Sequence, residues 1–124
     1  MAYDEVLTNR IREALAGERR VAEIKMMGGL CFMIRGHMAL AIVGDELMIR
    51  VGPDGYERAL GRVHAREMDL TGRSMKGFVI VEPAGIRTKR SLASWVAPAA
   101  AFARSLPPKV RRRTKSLQRK ALVT

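Results

Sequence analysis

The chain has 124 residues, 48% of them hydrophobic and 28% charged, which suits one soluble domain able to bury a single core. A lone cysteine, Cys31, excludes an internal disulfide and a cysteine-built zinc site, and no stretch offers the roughly 20 apolar residues that a bilayer span needs. The formal charge of +11 is unevenly placed: residues 109–124 hold seven basic and no acidic side chains, against 16 basic and 12 acidic in residues 1–108.

The opening MAYDEVLTNR is acidic before it is basic and lacks an apolar h-region, so no signal peptide is expected and the expected compartment is the cytoplasm. Residues 3–16 are predicted helical. Leu7, Ile11, Ala14 and Leu15 share one face, Asp4 and Glu5 suit the positive end of the helix dipole, and Gly17 is the stop.

The run from residue 21 to residue 51 divides at its glycines into four predicted strands, 21–27, 30–35, 38–43 and 46–51. Gly28-Gly29, Gly36 and Gly44-Asp45 are the joints, too short for crossover helices, so the pairing is antiparallel. In the first strand Ala22, Ile24 and Met26 alternate with Val21, Glu23 and Lys25, predicting one buried and one wet face. In the fourth, Leu47 and Ile49 oppose Met48 and Arg50, which leaves the outer face only partly polar. Methionines on that face read as ordinary packing.

Pro53 opens a short predicted helix through Leu60. Residues 61–71 have weak periodicity and read as an extended connection, Gly72-Arg73 as a turn, and residues 75–82 as a fifth strand ended by Pro83. Thr88 or Ser91 caps a last helix whose stripe includes Leu92, Trp95, Val96, Ala99 and Ala103. Pro98 lies inside it and predicts a kink or two abutting helices. Pro107-Pro108 closes the folded unit, residues 1–108. Residues 109–124 have few apolar side chains and are expected to be disordered when free.

Catalytic and metal-binding patterns are missing. His37, His64, Cys31 and Asp69 fall in no shared motif, neither histidine has metal-ligand spacing, and Gly28-Gly29 is followed by neither a P-loop lysine nor a crossover helix. No cofactor is expected. Two candidate contact regions remain. Lys109, Arg111, Arg112, Arg113, Lys115, Arg119 and Lys120 could meet phosphates with little sequence discrimination. His64, Arg73 and Lys76, with Thr71 and Ser74 nearby, could form a small ligand or anion surface.

The ordered series Lys25-Met26-Met27-Gly28-Gly29, Cys31-Phe32, Gly36 and Asp45-Glu46-Leu47 leading to Arg50 resembles the N-terminal domain of the TfoX/Sxy family. MDLTGRSMKGFVIVEP, residues 68–83, and the Leu92/Trp95 helix start extend the likeness over roughly residues 3–106. Met27 stands where that family usually has Phe, and a basic segment takes the place of the separate C-terminal domain of its full-length members. The resemblance implies an α+β, two-layer domain: an antiparallel sheet of about five strands against N- and C-terminal helices, in α-β-α-β-α progression. It also implies a non-enzymatic role linked to bacterial competence and transcription regulation, and it transfers no catalytic residue.

The expected function is therefore a regulatory or interaction domain that contacts nucleic acid or a transcription protein through its basic segment. The alternative is a small-molecule or peptide-binding domain with its site near the 61–76 connection. A membrane partner is not expected, and an open, apolar outer sheet face would point to a homodimer.

Overall fold

The computed structural model describes residues 3–26, 28–69 and 74–107. Its elements run α1 (Glu5–Ala14), β1 (Val21–Met26), β2 (Gly29–Ile34), β3 (His37–Val43), β4 (Glu46–Arg50), α2 (Gly52–Leu60), β5 (Ala65–Asp69), β6 (Ser74–Val81) and α3 (Lys89–Ser105). A single 3-10 turn, Pro83–Ile86, leads into α3. The strands form one sheet in the order β1-β2-β3-β4-β6-β5, antiparallel throughout. The α+β arrangement is as expected, but the sheet has six strands rather than five.

The additional strand, β5, lies inside the stretch expected to be a plain connection. Its alternation is obscured because Arg66 and Glu67 bring charge to both of its faces. An outer strand tolerates that, since only one of its edges is paired. Arg66 turns its charge to use, donating to both carboxylate oxygens of Glu46 at 2.6 and 2.7 Å and lying 3.6 Å from Glu82.

β1 corrects a second expectation. All six of its residues are exposed, although their alternation predicts one buried face. It is the opposite outer strand, bonded to β2 alone, so neither face gains full cover. α1 reaches it through a charge pair, with Arg12 donating to both Glu23 oxygens at 2.7 Å. The joint at Gly28-Gly29 is also divided. Gly28 takes the turn conformation at φ +76°, whereas Gly29 is already in β2, where a Cβ would overlap the Ile42 carbonyl of β3.

The main core lies between the sheet and the helices. β2 contributes Leu30, Phe32 and Ile34; β3 adds Leu40 and Ile42; β4 adds Leu47 and Ile49; and β6 adds Val79 and Val81. Onto these pack Leu7 and Ile11 from α1, Tyr56 from α2, and Leu92, Trp95 and Val96 from α3. Asp4 caps α1 by accepting from the Leu7 N–H at 3.0 Å, and Thr88 and Ser91 form a reciprocal capping box at α3.

α3 runs unbroken through Pro98, so two abutting helices do not form. Proline cannot donate to the carbonyl four residues back, which is that of Ser94. Arg62, just after α2, takes over: its guanidinium donates to the Ser94 carbonyl at 3.2 Å and to the Ser94 hydroxyl at 2.7 Å. The same group lies 3.6 Å from the centroid of the Trp95 ring. The orphaned acceptor is thus satisfied from outside the helix.

Candidate interaction surface

Of the residues that sequence reasoning singled out, Arg73 and the seven cations of residues 109–124 lie outside the described residues. His64 is exposed, with φ +72°, and its carbonyl accepts from the Glu82 N–H at 3.0 Å. Lys76 is exposed near the start of β6, whereas His64 faces the end of that strand. The two therefore stand at opposite ends of the β5–β6 hairpin. His37 opens β3, with Nε2 2.6 Å from the Pro107 carbonyl oxygen, and Cys31 is buried in β2. Among the described residues no three histidine, cysteine, aspartate or glutamate side chains are grouped to hold a metal ion. No described helix is long and apolar enough to cross a membrane.

Three of the clefts among the described residues are bordered by neither His64 nor Lys76. The largest, about 260 Å³, runs between α1 and α3 past Leu15, Val96, Ala97 and Ala100. A second, about 190 Å³, lies beside the Arg62–Trp95 stack, and a third of about 100 Å³ lies beside Arg10. All three fall below the roughly 300 Å³ at which small-molecule sites usually begin.

The more informative feature is the other face of the sheet. Side chains alternate along a strand, so residues between those of the main core point away from the helices. Register then aligns them across strands. Met33 pairs with Met38, Cys31 with Ala41, Ala41 with Met48, and Met48 with Ile80. Met68, Met75 and Phe78 join the same cluster, and no helix residue belongs to it. β1 extends the surface with Ile24, opposite Cys31, and Met26, which are 42% and 36% exposed. The outer face of β4, expected to be only partly polar, holds buried Met48 between half-buried Glu46 and Arg50.

Methionine dominates it. The protein has eight methionines; Met1 and Met27 lie outside the described residues, and the other six all stand on these strands at face positions. The thioether is flexible and polarisable, which suits it to filling irregular apolar gaps between strands. The cluster is a second small core rather than an open patch: Cys31, Ala41, Met48 and Met68 are only 2–6% exposed. Among the described residues, Glu46 and Glu82 each pair with Arg66 at one rim, and the other charged residue of β4 is Arg50. Its guanidinium sits 5.7 Å from the Phe78 ring and 5.2 Å from the Phe102 ring.

Sequence reasoning took the outer-face methionines as ordinary packing, and they do pack into this second cluster, but it did not group them across strands. The available signal was the parity of Met33 and Met48, opposite to that of the neighbouring aliphatic residues. Cys31 shares their environment, and burial pushes its thiol pKa up. A buried, protonated thiol is a packing group rather than a nucleophile.

One antiparallel sheet with helices packed over one face and a smaller apolar cluster on the other defines an α+β domain. A family model described as TfoX N-terminal domain matches residues 13–103, and the chain belongs to that family. Neither the curated proteins nor the solved structures provide a match. The family is one of regulatory or interaction domains, not a known enzyme family.

Proposed function

We propose that the protein is a regulatory interaction domain without catalytic chemistry, which contacts the phosphate backbone of nucleic acid through residues 109–124. The process it serves is transcription regulation of the competence type. The observation that carries this reading is the density of cations in residues 109–124, seven in sixteen residues with no acid among them. Within the folded part, six arginines are engaged by the protein itself. Arg10 donates to the Ile86 carbonyl at 2.7 Å, Arg12 to Glu23 and Arg50 to the Met38 carbonyl at 3.4 Å. Arg62 holds Ser94, Arg66 holds Glu46, and Arg104 pairs with Glu18.

The last sixteen residues carry seven cations and no acid to pair with them. Phosphate is the partner such a block fits, and contacts of that kind position a protein without reading bases. The experiment compares duplex DNA and single-stranded RNA binding by the full chain and by a full-length variant. In that variant Lys109, Arg111, Arg112, Arg113, Lys115, Arg119 and Lys120 are all changed to Gln. Binding should fall steeply in the variant; equal binding by both proteins removes the segment from the function.

A further inference from the structure

We infer that Arg19, Arg20 and Arg35 form a phosphate-binding surface for duplex DNA, carrying the contact of residues 109–124 onto the folded domain. Resting on the nucleic-acid reading above, this adds the domain's own share of the contact. These three arginines are not among the six that the protein engages. Among the described residues, the ion pairs of arginine go to Arg12, Arg66 and Arg104, and none reaches these three. The acids nearest to them in sequence, Glu18 and Glu23, are already held by Arg104 and Arg12.

Topology gathers the three. Val21 pairs with Ile34 and Ile34 with His37, so the start of β1, the end of β2 and the start of β3 lie side by side. Arg20 and Arg35 stand opposite each other just past that pairing, where the Arg35 N–H donates to the Arg20 carbonyl at 3.1 Å. Arg19 and Arg20 are exposed, and Arg35 is half-buried. The described chain ends at the same place, with the Pro107 carbonyl oxygen 2.6 Å from His37 Nε2. Lys109 follows two residues later, within about 7 Å of Pro107 by chain length alone. The cationic segment therefore leaves the domain beside the three arginines.

Backbone conformation supplies a second sign. Arg20 and Arg35 are held at φ +59° and +54°, a region that glycine and asparagine enter more easily. Arg35 and Gly36 are the two central residues of the β2–β3 turn, both at positive φ, where Asn, Asp or Gly is favoured in the first place. Arginine is a poor choice for such a turn, so its advantage there lies in its charge.

The rest of the charge fits the same orientation. At the opposite end of the sheet, the Asp4 N–H donates to the Gly44 carbonyl at 2.9 Å, and Asp45, Glu46 and Glu82 stand nearby. A phosphate backbone is repelled at that end and attracted at the arginine end. All six aromatic side chains are buried or half-buried, which leaves no exposed platform for stacking single-stranded bases and favours duplex phosphates.

The test measures duplex DNA binding at low salt by the full chain and three full-length variants. In the first, Arg19→Gln, Arg20→Asn and Arg35→Asn remove three charges, and asparagine keeps both positive-φ positions comfortable. In the second, Arg87→Gln, Lys89→Gln and Arg90→Gln remove three exposed cations at the start of α3, about 25 Å along that helix from its Ser105 end. The third has the seven cations of residues 109–124 changed to Gln. The first variant should bind about tenfold or more weakly than the unchanged chain, and the second within about threefold of it.

Binding by the first variant as tight as that of the unchanged chain, with loss in the third, overturns the inference and leaves the role of residues 109–124 standing. Equal losses in the first and second variants also overturn it, because total charge rather than its place would then decide. An unchanged chain that does not bind duplex DNA overturns both this surface and the reading on which it rests.

Discussion

Arg62 donates a hydrogen bond to the Ser94 carbonyl, the one acceptor in α3 that Pro98 deprives of its helical donor. A side chain two elements away in sequence thereby completes a helix that local propensity would interrupt. The same guanidinium covers the Trp95 ring, which is 2% exposed, so one residue joins α2, α3 and the core.

This joint predicts a specific coupling. Arg62→Ala should destabilise the fold by about 1–2 kcal/mol, through loss of the stack and of the two Ser94 bonds. Pro98→Ala restores a backbone N–H for the Ser94 carbonyl. In that background the cost of Arg62→Ala should shrink by about 0.5–1 kcal/mol. Urea unfolding of the wild type, both single variants and the double variant measures the difference, and strict additivity would dissolve the proposed substitution of donors.

Gly52 and Gly17 predict opposite responses to the same change. Gly52 opens α2 at φ +82°, and a Cβ there would overlap the Phe102 ring. Gly52→Ala should therefore cost about 2–4 kcal/mol through strain and displaced packing. At Gly17 a Cβ would meet nothing within 4 Å. Gly17→Ala should be neutral or stabilising by up to about 1 kcal/mol. Thermal melts of the two variants settle the comparison.

The Cys31 thiol predicts both reactivity and pH dependence. Its folded pKa is raised by burial, so the protonated form is favoured in the fold. Its contribution to stability is complete below the ordinary thiol range and declines as the pH rises through that range toward the folded value. Alkylation should be slow in the native protein and rapid in denaturant. Cys31→Ala should remove the alkaline component of the stability loss, measured from pH 7 to pH 10 by urea unfolding.

Much of the helix-covered side was legible in the residues. Phe32, Leu40, Leu47 and Ile49 alternate cleanly, glycine marked the joints, and the α3 stripe placed Trp95 in the core. β5 was not legible, because the charges that hide its alternation make sense only once Glu46 and Glu82 stand beside Arg66. β1 misled for a related reason: alternation reports which residues share a face, not whether anything covers that face. The methionine cluster depends on register between distant residues, such as Met48 opposite Ala41 and Ile80, which no single stretch reveals. His64 and Lys76 show the converse. They share a connection in the sequence, yet the hairpin holds them at opposite ends.

The proposed contact with nucleic acid is tested most directly by the salt dependence of duplex DNA binding. If all seven cations of residues 109–124 meet phosphates, a plot of log K against log salt concentration should have a slope of about −6. The slope should flatten sharply when those seven are changed to Gln. Equal slopes for the two proteins, or no measurable binding by the full chain at low salt, would contradict the account.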